Sequence, residues 1–221
     1  MPSLRSDSMS GMKSFVEWTV ERFWGAFDIP YLPSRVYELA RPLLLHVSDT
    51  PSQIYPFVRR LIRKLEPDYF VHTGDIADEL KLEESRSHLS EYRQKVVNFV
   101  RAVELLQVSN IYYVLGNHDD YETVESAAHR SRIVSDASIC EMSGLHIYLT
   151  HDCVPEEGDW PEGEPDLVLF GHAPETASEL PYFNGLFSIH IISLVTREVV
   201  RLPYPAGTDN ARKLLPPKIG L

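Results

Sequence analysis

Residues 111–119 read IYYVLGNHD: an apolar run from Ile111 to Leu115, and then the polar segment Gly116-Asn117-His118-Asp119. The apolar run predicts a buried strand, and the glycine allows a sharp turn where that strand ends. Polar groups just beyond a strand lie at the sheet edge where α/β folds place their chemistry. Asn117 offers a neutral oxygen ligand, and His118 points elsewhere, within reach of a bound molecule. Taken alone, the segment is also compatible with a turn that merely exposes a histidine.

Four further segments share this layout, each a polar cluster that directly follows an apolar run. They are His46-Val47-Ser48-Asp49-Thr50-Pro51, Gly74-Asp75-Ile76-Ala77-Asp78, His151-Asp152 and Gly171-His172-Ala173-Pro174. A single aspartate after a strand is more often a helix N-cap, and a single histidine more often a hydrogen-bonded structural residue. Carboxylate, amide and imidazole groups that converge on one sheet edge, however, suit a divalent metal ion.

The apolar periodicity predicts alternating strands and helices in the first half of the domain. Strands are expected at 42–47, 69–73 and 111–115, and helices at 52–65 and 82–106, an order that favours parallel pairing. Shorter strands are expected later, at 133–134, 138–142, 145–150, 166–170, 188–194 and 198–202, partly as antiparallel hairpins. The chain is therefore predicted to be an α/β protein with two packed sheets flanked by helices.

The order, spacing and residue types of the five segments resemble the calcineurin-like metallophosphoesterases. The resemblance covers about residues 43–202 and implies the four-layer αββα sandwich of that family, with two mixed β-sheets flanked by helices. The expected organisation is a disordered lead over 1–12, an N-terminal helical extension over 13–40 and the metallophosphoesterase domain over 41–203. A C-terminal tail over 204–221 has no periodicity and is expected to lie on the surface.

The resemblance also implies roles for individual residues in a site with two metal ions. A bridging aspartate matches Asp75, and the second metal ion takes Asp75, Asn117, His151 and His172, so this half of the site is complete. The histidine beside the asparagine, here His118, is the family's usual proton donor or transition-state stabiliser and is the expected catalytic residue.

The first metal ion is expected to be bound poorly, because two of its ligands are replaced. It would take Asp49, Asp75 and two histidines, but those two positions hold Pro51 and Pro174. Proline has no side-chain atom that can bind a metal. Both replacements affect the same ion, which favours a coordinated loss and an expected fall in activity.

Other polar residues near the segments are possible replacements for the missing ligands. His46 and His72 lie three residues before Asp49 and Asp75, so they point largely to the opposite face of the sheet, and a packing role is preferred. Further candidates to replace an imidazole, any of which could instead orient a ligand histidine, are Asp78, Asp119, Asp120, Asp152 and Cys153. Histidines that match no ligand position, and are expected to be structural or exposed, are His88, His129, His146 and His190.

Composition limits the classes of partner and location. The formal net charge of -11 argues against nonspecific nucleic-acid binding and would repel a phosphorylated substrate unless a bound cation reversed the local charge. Two cysteines make no disulfide framework, which favours a reducing cytoplasm. The start of the chain lacks the layout of a signal peptide, and no apolar run approaches about 18 residues, so no membrane span is expected.

The sequence thus predicts a metal-dependent phosphoesterase that hydrolyses a phosphodiester or phosphomonoester by metal-activated water. The cofactor is a divalent metal (Mn, Fe or Zn), with one ion bound firmly and any second ion weakly. The alternative is a scaffold of the same fold that acts through protein contacts. The aromatic segment 13–27 is expected to pack on the domain or to form a homo-oligomer, with an interfacial membrane helix as the weaker alternative.

Overall fold

Two mixed β-sheets form the centre of the computed structural model, which describes residues 29–152, 154, 160, 163–173 and 180–212. The six-stranded sheet has the order β10-β9-β1-β2-β3-β4 and the four-stranded sheet the order β5-β6-β7-β8. The strands are β1 Leu43–Val47, β2 Tyr69–Thr73, β3 Asn110–Val114, β4 Arg132–Val134, β5 Ser138–Met142, β6 Leu145–Leu149, β7 Leu167–Phe170, β8 Tyr182–Asn184, β9 Ile189–Ser193 and β10 Val199–Leu202.

Strands β1 to β4 pair in parallel because helices cross over between them. The crossovers contain α1 (Tyr55–Leu65) between β1 and β2, α2 (Leu89–Glu104) between β2 and β3, and α3 (Tyr121–Ala127) between β3 and β4. The carboxyl ends of β1, β2 and β3 therefore meet at one sheet edge. That edge carries the polar segments that begin at Ser48, Gly74 and Gly116.

The sheets pack face to face through alternating apolar side chains. Leu44, Val71 and Tyr112 of the six-stranded sheet lie in one buried cluster with Ile147 and Leu169 of the four-stranded sheet. The opposite face of the six-stranded sheet is covered by the helices in a second, larger cluster. This architecture confirms the predicted fold class of two mixed sheets with flanking helices.

Helix α2 begins later than the sequence predicts. Its periodicity favours a helix over 82–106, yet the helix starts at Leu89, and a short 3-10 segment, Arg86–His88, precedes it. The Ser85 hydroxyl accepts a hydrogen bond from the Ser87 amide, a local contact that competes with helical bonding. The resulting turn brings Glu83 to the Asn117 side chain.

The C-terminal segment corrects the prediction of a surface tail, as far as residue 212. It includes α4 (Thr208–Ala211), and the side chain of Arg212 is completely buried. The Tyr204 hydroxyl accepts a hydrogen bond from Ser48 N at 3.0 Å and donates one to Gly185 O at 2.7 Å. This segment carries too few apolar residues to show a period, so its contacts were not predictable from the pattern. Residues 213–221 lie outside the described residues.

The predicted lead over 1–12 and aromatic helix over 13–27 also lie outside the described residues, and both stay predictions. Ile29 and Tyr31 line an open cavity of about 570 Å³, together with Phe57, Phe187 and the segment 202–210. The chain before Ile29 thus joins the domain beside an apolar surface. Nowhere in the described ranges is a helix both long and apolar enough to cross a bilayer.

Deleting residues 1–28 is expected to lower the melting temperature or to change the oligomeric mass. Each kcal/mol of packing lost should lower Tm by about 2–4 °C in a chain of this size. Differential scanning calorimetry and light scattering measure the two quantities. Unchanged values of both would contradict packing, as would binding to anionic vesicles that disappears with the deletion.

Three buried histidines lie on strands of the six-stranded sheet. His46 Nδ1 is 3.2 Å from His190 Nδ1, and His46 Nε2 is 2.8 Å from Thr73 Oγ1. His72 Nε2 is 2.8 Å from Thr50 Oγ1. These contacts agree with the packing role preferred for His46 and His72, and they show that His190 is structural rather than exposed.

Burial should make these histidines a source of acid instability. Burial, with a smaller contribution from neighbouring charges, lowers the pKa of His72 to about 3. Below an ordinary pKa near 6.5 the unfolded chain then binds a proton that the folded chain does not, so stability falls as the pH falls from 6.5 toward 3. We expect the metal-free protein to lose about 1.4 kcal/mol per pH unit for each such histidine.

Urea unfolding of variants between pH 7 and pH 4 tests whether His72 causes this loss of stability with falling pH. His72→Gln should show a shallower loss of stability than the wild type, whereas His129→Gln, at an exposed position, should match the wild type. Identical slopes in all three proteins would show that His72 does not titrate in this way.

Candidate metal centre

The candidate ligands lie at the ends of strands in strained backbone conformations. Asp49, Asp75 and His172 have φ angles of 50°, 55° and 57°, in the left-handed region that residues with a Cβ rarely adopt. Such strain persists only where the surrounding structure imposes it, and it clusters at functional sites. All three positions are among the ligands that the sequence predicts.

His151 is the best-oriented ligand of the group. Its Nδ1 atom is 2.7 Å from Thr73 O and therefore carries a proton that it donates to that carbonyl. Its Nε2 atom faces Asn117 Oδ1 at 3.1 Å and Asp75 Oδ2 at 3.5 Å. Donation of the other ring N–H to a backbone carbonyl is the usual way in which proteins orient a histidine that binds a metal.

The amide of Asn117 is turned so that its oxygen faces His151. Its Nδ2 atom donates to a carboxylate oxygen of Glu83, which leaves Oδ1 on the side of the imidazole. An imidazole nitrogen, an amide oxygen and a carboxylate oxygen thus converge on one point. These acceptors repel one another unless a proton or a cation lies between them.

His172 completes the group from another loop. One ligand atom each from Asp75, His151 and His172 lie within 4.8 Å of one another, and the two imidazole rings are 5.0 Å apart. The His172 amide donates to Asp49 Oδ2 at 3.2 Å, which places Asp49 beside the group. The donor set of oxygen and nitrogen atoms fits Mn, Fe or Zn equally.

The electrostatics of Asp75 and His151 require either a proton or a cation between the two side chains. Burial raises the pKa of the Asp75 carboxyl, and the hydrogen bond with His151 opposes that rise. Burial alone would lower the pKa of His151, but the hydrogen bond and charge of Asp75 outweigh it and hold that pKa above its ordinary range. Without a cation the imidazole is therefore protonated, and a ligand imidazole must lose that proton when a metal binds.

Two glycines allow the loops to approach this closely. A Cβ at Gly116 would collide with the Asp75 side chain, and a Cβ at Gly171 would collide with those of Ser48 and Asp49. Glycine at both positions therefore reflects the packing of backbone against ligand side chains.

Asp119 holds the loops that follow β2 and β3 together through hydrogen bonds. Its carboxylate accepts hydrogen bonds from Asp75 N at 2.8 Å, Ile76 N at 2.9 Å and Gly116 N at 2.9 Å. The buried Tyr92 hydroxyl, on α2, donates to the same carboxylate at 2.7 Å. Asp119 thereby orients Asp75, whereas the sequence suggested it as a partner that orients a ligand histidine.

His118 lies beside the group but makes different contacts. Glu83 N donates to its Nδ1 atom at 3.3 Å, so the ring proton is on Nε2. Burial first, and then the charge of Lys81, lower the pKa of His118 to about 4. The side chain is therefore a neutral N–H donor near pH 7.

Asp75, Asp78 and His118 form a second group whose candidate ligand atoms lie within 4.8 Å of one another. Lys81 Nζ is 2.6 Å from Asp78 Oδ1 and already neutralises that carboxylate. Burial raises the pKa of Asp78 and the charge of Asp49 adds to the rise, while the charges of Lys81 and Arg212 oppose it. The Lys81 ammonium already balances part of the negative charge around Asp75, Asp78 and His118, so these residues have little need of another cation.

The remaining predicted positions fall into three sets. Pro51 is buried and begins a 3-10 segment with φ -68°, whereas Pro174 and Cys153 lie outside the described residues. Asp120 caps α3 through the Thr123 amide, and Asp152 is exposed. Neither Asp120 nor Asp152 belongs to either of the two ligand groups.

Some residues of the site were not predicted from the sequence. Glu83, Tyr92, Tyr204 and Arg212 hold the loops through contacts between distant parts of the chain, such as the 163 positions between Arg212 and Asp49. For Arg212 the only available signal was its charge in an otherwise featureless tail.

Comparison with known proteins agrees with this geometry. Residues 42–188 match the family model described as calcineurin-like phosphoesterase. An archaeal phosphodiesterase of known structure is similar over 73% of this chain and 99% of its own, with 18% identity and a TM-score of 0.53. The Escherichia coli phosphoesterase Yfce matches 72% of this chain and 96% of its own, with 18% identity and a TM-score of only 0.40. No curated protein matches the chain.

Proposed function

The chain belongs to the calcineurin-like phosphoesterase family and is therefore a metal-dependent hydrolase, and from that premise we propose that it cleaves phosphodiesters at a site with one firmly bound cation. The ligands of that cation are Asp75, Asn117, His151 and His172. The observation that carries the proposal is the orientation of His151, whose Nε2 atom faces two oxygen acceptors while its Nδ1–H is held by Thr73 O.

Different groups of the protein have different roles around the bound phosphate. When bound, a divalent cation polarises a phosphoryl oxygen and lowers the pKa of a water molecule. His118 offers its Nε2–H to a phosphoryl oxygen, and because its pKa is lowered to about 4 it does so as a neutral donor. We therefore assign it transition-state stabilisation rather than proton donation. Asp119 keeps Asp75 in place through the backbone.

The charge around the site favours a diester over a monoester. A phosphomonoester carries a charge close to -2 near neutral pH, whereas a diester carries only -1. Binding a dianion is usually the task of arginine or lysine side chains. Lys81, whose charge acts on His118, is held by Asp78 and is not free for this purpose.

Turnover of a chromogenic phosphodiester and of its monoester counterpart tests the proposal. With added Mn²⁺ we expect saturable hydrolysis and a higher kcat/KM for the diester, and no turnover by Asp75→Asn. Equal or better hydrolysis of the monoester would overturn the choice of substrate. Metal binding without turnover of either ester would support the second candidate.

That second candidate is a scaffold of the same fold that acts through protein contacts. The observation that favours it is Pro51, a buried residue without a ligand atom where the family supplies an imidazole. The ligand group around His151 argues against it, since imidazole, amide and carboxylate groups that converge on one point suit a metal ion.

A further inference from the structure

A buried guanidinium group lies directly beneath the first polar segment. The Arg212 side chain is 0% exposed, and it donates to Asp49 O at 2.5 Å, Ser48 O at 3.1 Å and Leu186 O at 2.7 Å. Its guanidinium also stacks on the ring of Tyr204, 4.3 Å from the centroid. Arg212 therefore holds the backbone of the segment that carries Asp49.

Among the described residues, this cation has no strong counter-ion of its own. The carboxylate in contact with it belongs to Asp209, at 3.2 Å, and that side chain is 76% exposed. An exposed ion pair is screened by water and contributes little. Burial of a charge is costly unless something compensates it. The nearby buried carboxylates can provide this compensation.

The candidate centre has an excess of negative charge. Asp49, Asp75 and Asp78 are each at most 3% exposed, and the charge of Asp49 acts on both of the others. Family members neutralise this region with two metal ions, but Pro51 and Pro174 take away ligands of the first. The charge of Arg212 acts on Asp78, and its guanidinium contacts the backbone carbonyl of Asp49, so it lies where a fixed cation can restore part of the balance.

We propose that Arg212 is a positioning residue whose fixed positive charge does for Asp49 what the first metal ion does in two-metal sites, so that one cation suffices. The inference deepens the single-cation site proposed above and rests on it. Arg212 also lies outside the residues 42–188 that match the family model, so the match itself implies no role for it. A guanidinium is permanently charged and does not dissociate as a weakly held ion does.

The test compares Arg212→Met, which removes the charge, with Arg212→Lys, which keeps it but loses the planar set of donors. The Tm of each protein is measured metal-free and with saturating Mn²⁺, and the Mn²⁺ affinity by calorimetry. Arg197→Met is the matched control, because it removes an arginine that pairs with Asp166 at the surface.

Removing the charge should make the centre more attractive to metal. We expect Arg212→Met to bind Mn²⁺ about tenfold more tightly than the wild type, which adds about 3–5 °C to the rise in Tm caused by the metal. Arg212→Lys and Arg197→Met should keep the wild-type affinity. Equal affinity in Arg212→Met and Arg212→Lys would overturn the proposal, because the role of Arg212 would then be to hydrogen-bond carbonyl groups only.

If Arg212→Met does not fold, the test uses the Asp49→Asn variant as the starting protein, because it lacks the charge of Asp49. Asp49→Asn with Arg212→Met should then fold, because the first substitution removes the carboxylate charge that Arg212 compensates. A double variant that also fails to fold would overturn the proposal. These measurements do not depend on turnover, so a wild type that binds Mn²⁺ without hydrolysing an ester would contradict the proposed function and leave this inference testable.

Discussion

Replacement of His172 by alanine is expected to lower the affinity for the bound metal by at least about 100-fold, since disturbing only the partners of a ligand already causes losses of 10- to 100-fold. His172 is exposed, and alanine keeps the same Cβ in the left-handed conformation. The fold should therefore be little changed. Calorimetry with Mn²⁺ measures the affinity, and circular dichroism confirms the fold.

Asp49→Asn is the matched control for this prediction. Asparagine keeps an oxygen that can accept the hydrogen bond from the His172 amide, but it removes the charge. Because we assign Asp49 to the impaired half of the proposed site, its replacement should weaken metal binding far less than His172→Ala. Equal losses in the two variants would show that Asp49 and His172 bind the same ion, and the division into one complete and one impaired half would be wrong.

The second large effect concerns the two prolines. The double variant Pro51→His with Pro174→His is expected to raise the metal content from about one ion to about two per chain, because both missing imidazoles return to the ion that Asp49 and Asp75 share. Diester turnover should rise by about tenfold or more, which corresponds to about 1.4 kcal/mol of transition-state stabilisation. Either single variant should gain less.

The structure indicates that the first of these changes is compatible with the backbone. Pro51 has φ -68° and ψ 143°, an extended conformation open to any residue, and the hydrogen bond from Ile54 N to Pro51 O would remain. Loss of proline should reduce stability by about 0.4–1 kcal/mol through the unfolded chain. Because Pro51 is buried, some strain from the larger imidazole is expected, and the rescue should be partial.

The control double variant Pro51→Ala with Pro174→Ala separates the effect of the added imidazoles from the effect of losing the prolines, which loosens the loops. This control should leave both the metal content and the rate near their wild-type values. A folded histidine double variant with unchanged metal content would falsify the assignment of the prolines to one lost metal ion. It would indicate that other residues, such as Asp78, already serve as ligands.

The sequence predicted much of the centre because its main ligands follow strands of strong apolar character. Asp75 and Asn117 come directly after β2 and β3, parallel neighbours whose ends meet at one edge. His151 and His172 follow β6 and β7, which also pair in parallel. Local patterns of this kind fix both the type of element and the position where it ends.

The supporting contacts could not be predicted in the same way. The hydrogen bonds from Arg212 to Ser48 and Asp49 join residues more than 160 positions apart, and no periodicity marks the segment that carries the arginine. The late start of α2 depends on a side-chain contact of Ser85, which the average periodicity of the helix conceals. Tertiary packing decides both features, and a single sequence does not reveal it.

The metal content of the purified full-length protein, loaded with Mn²⁺ and dialysed, tests the one-cation site most directly when diester hydrolysis is measured on the same sample. Elemental analysis should give about one ion per chain together with turnover, because in the proposed site one set of ligands is complete and the other lacks two imidazoles. Two firmly held ions per chain would contradict the loss of the first site. Protein without metal and without turnover would contradict the enzyme.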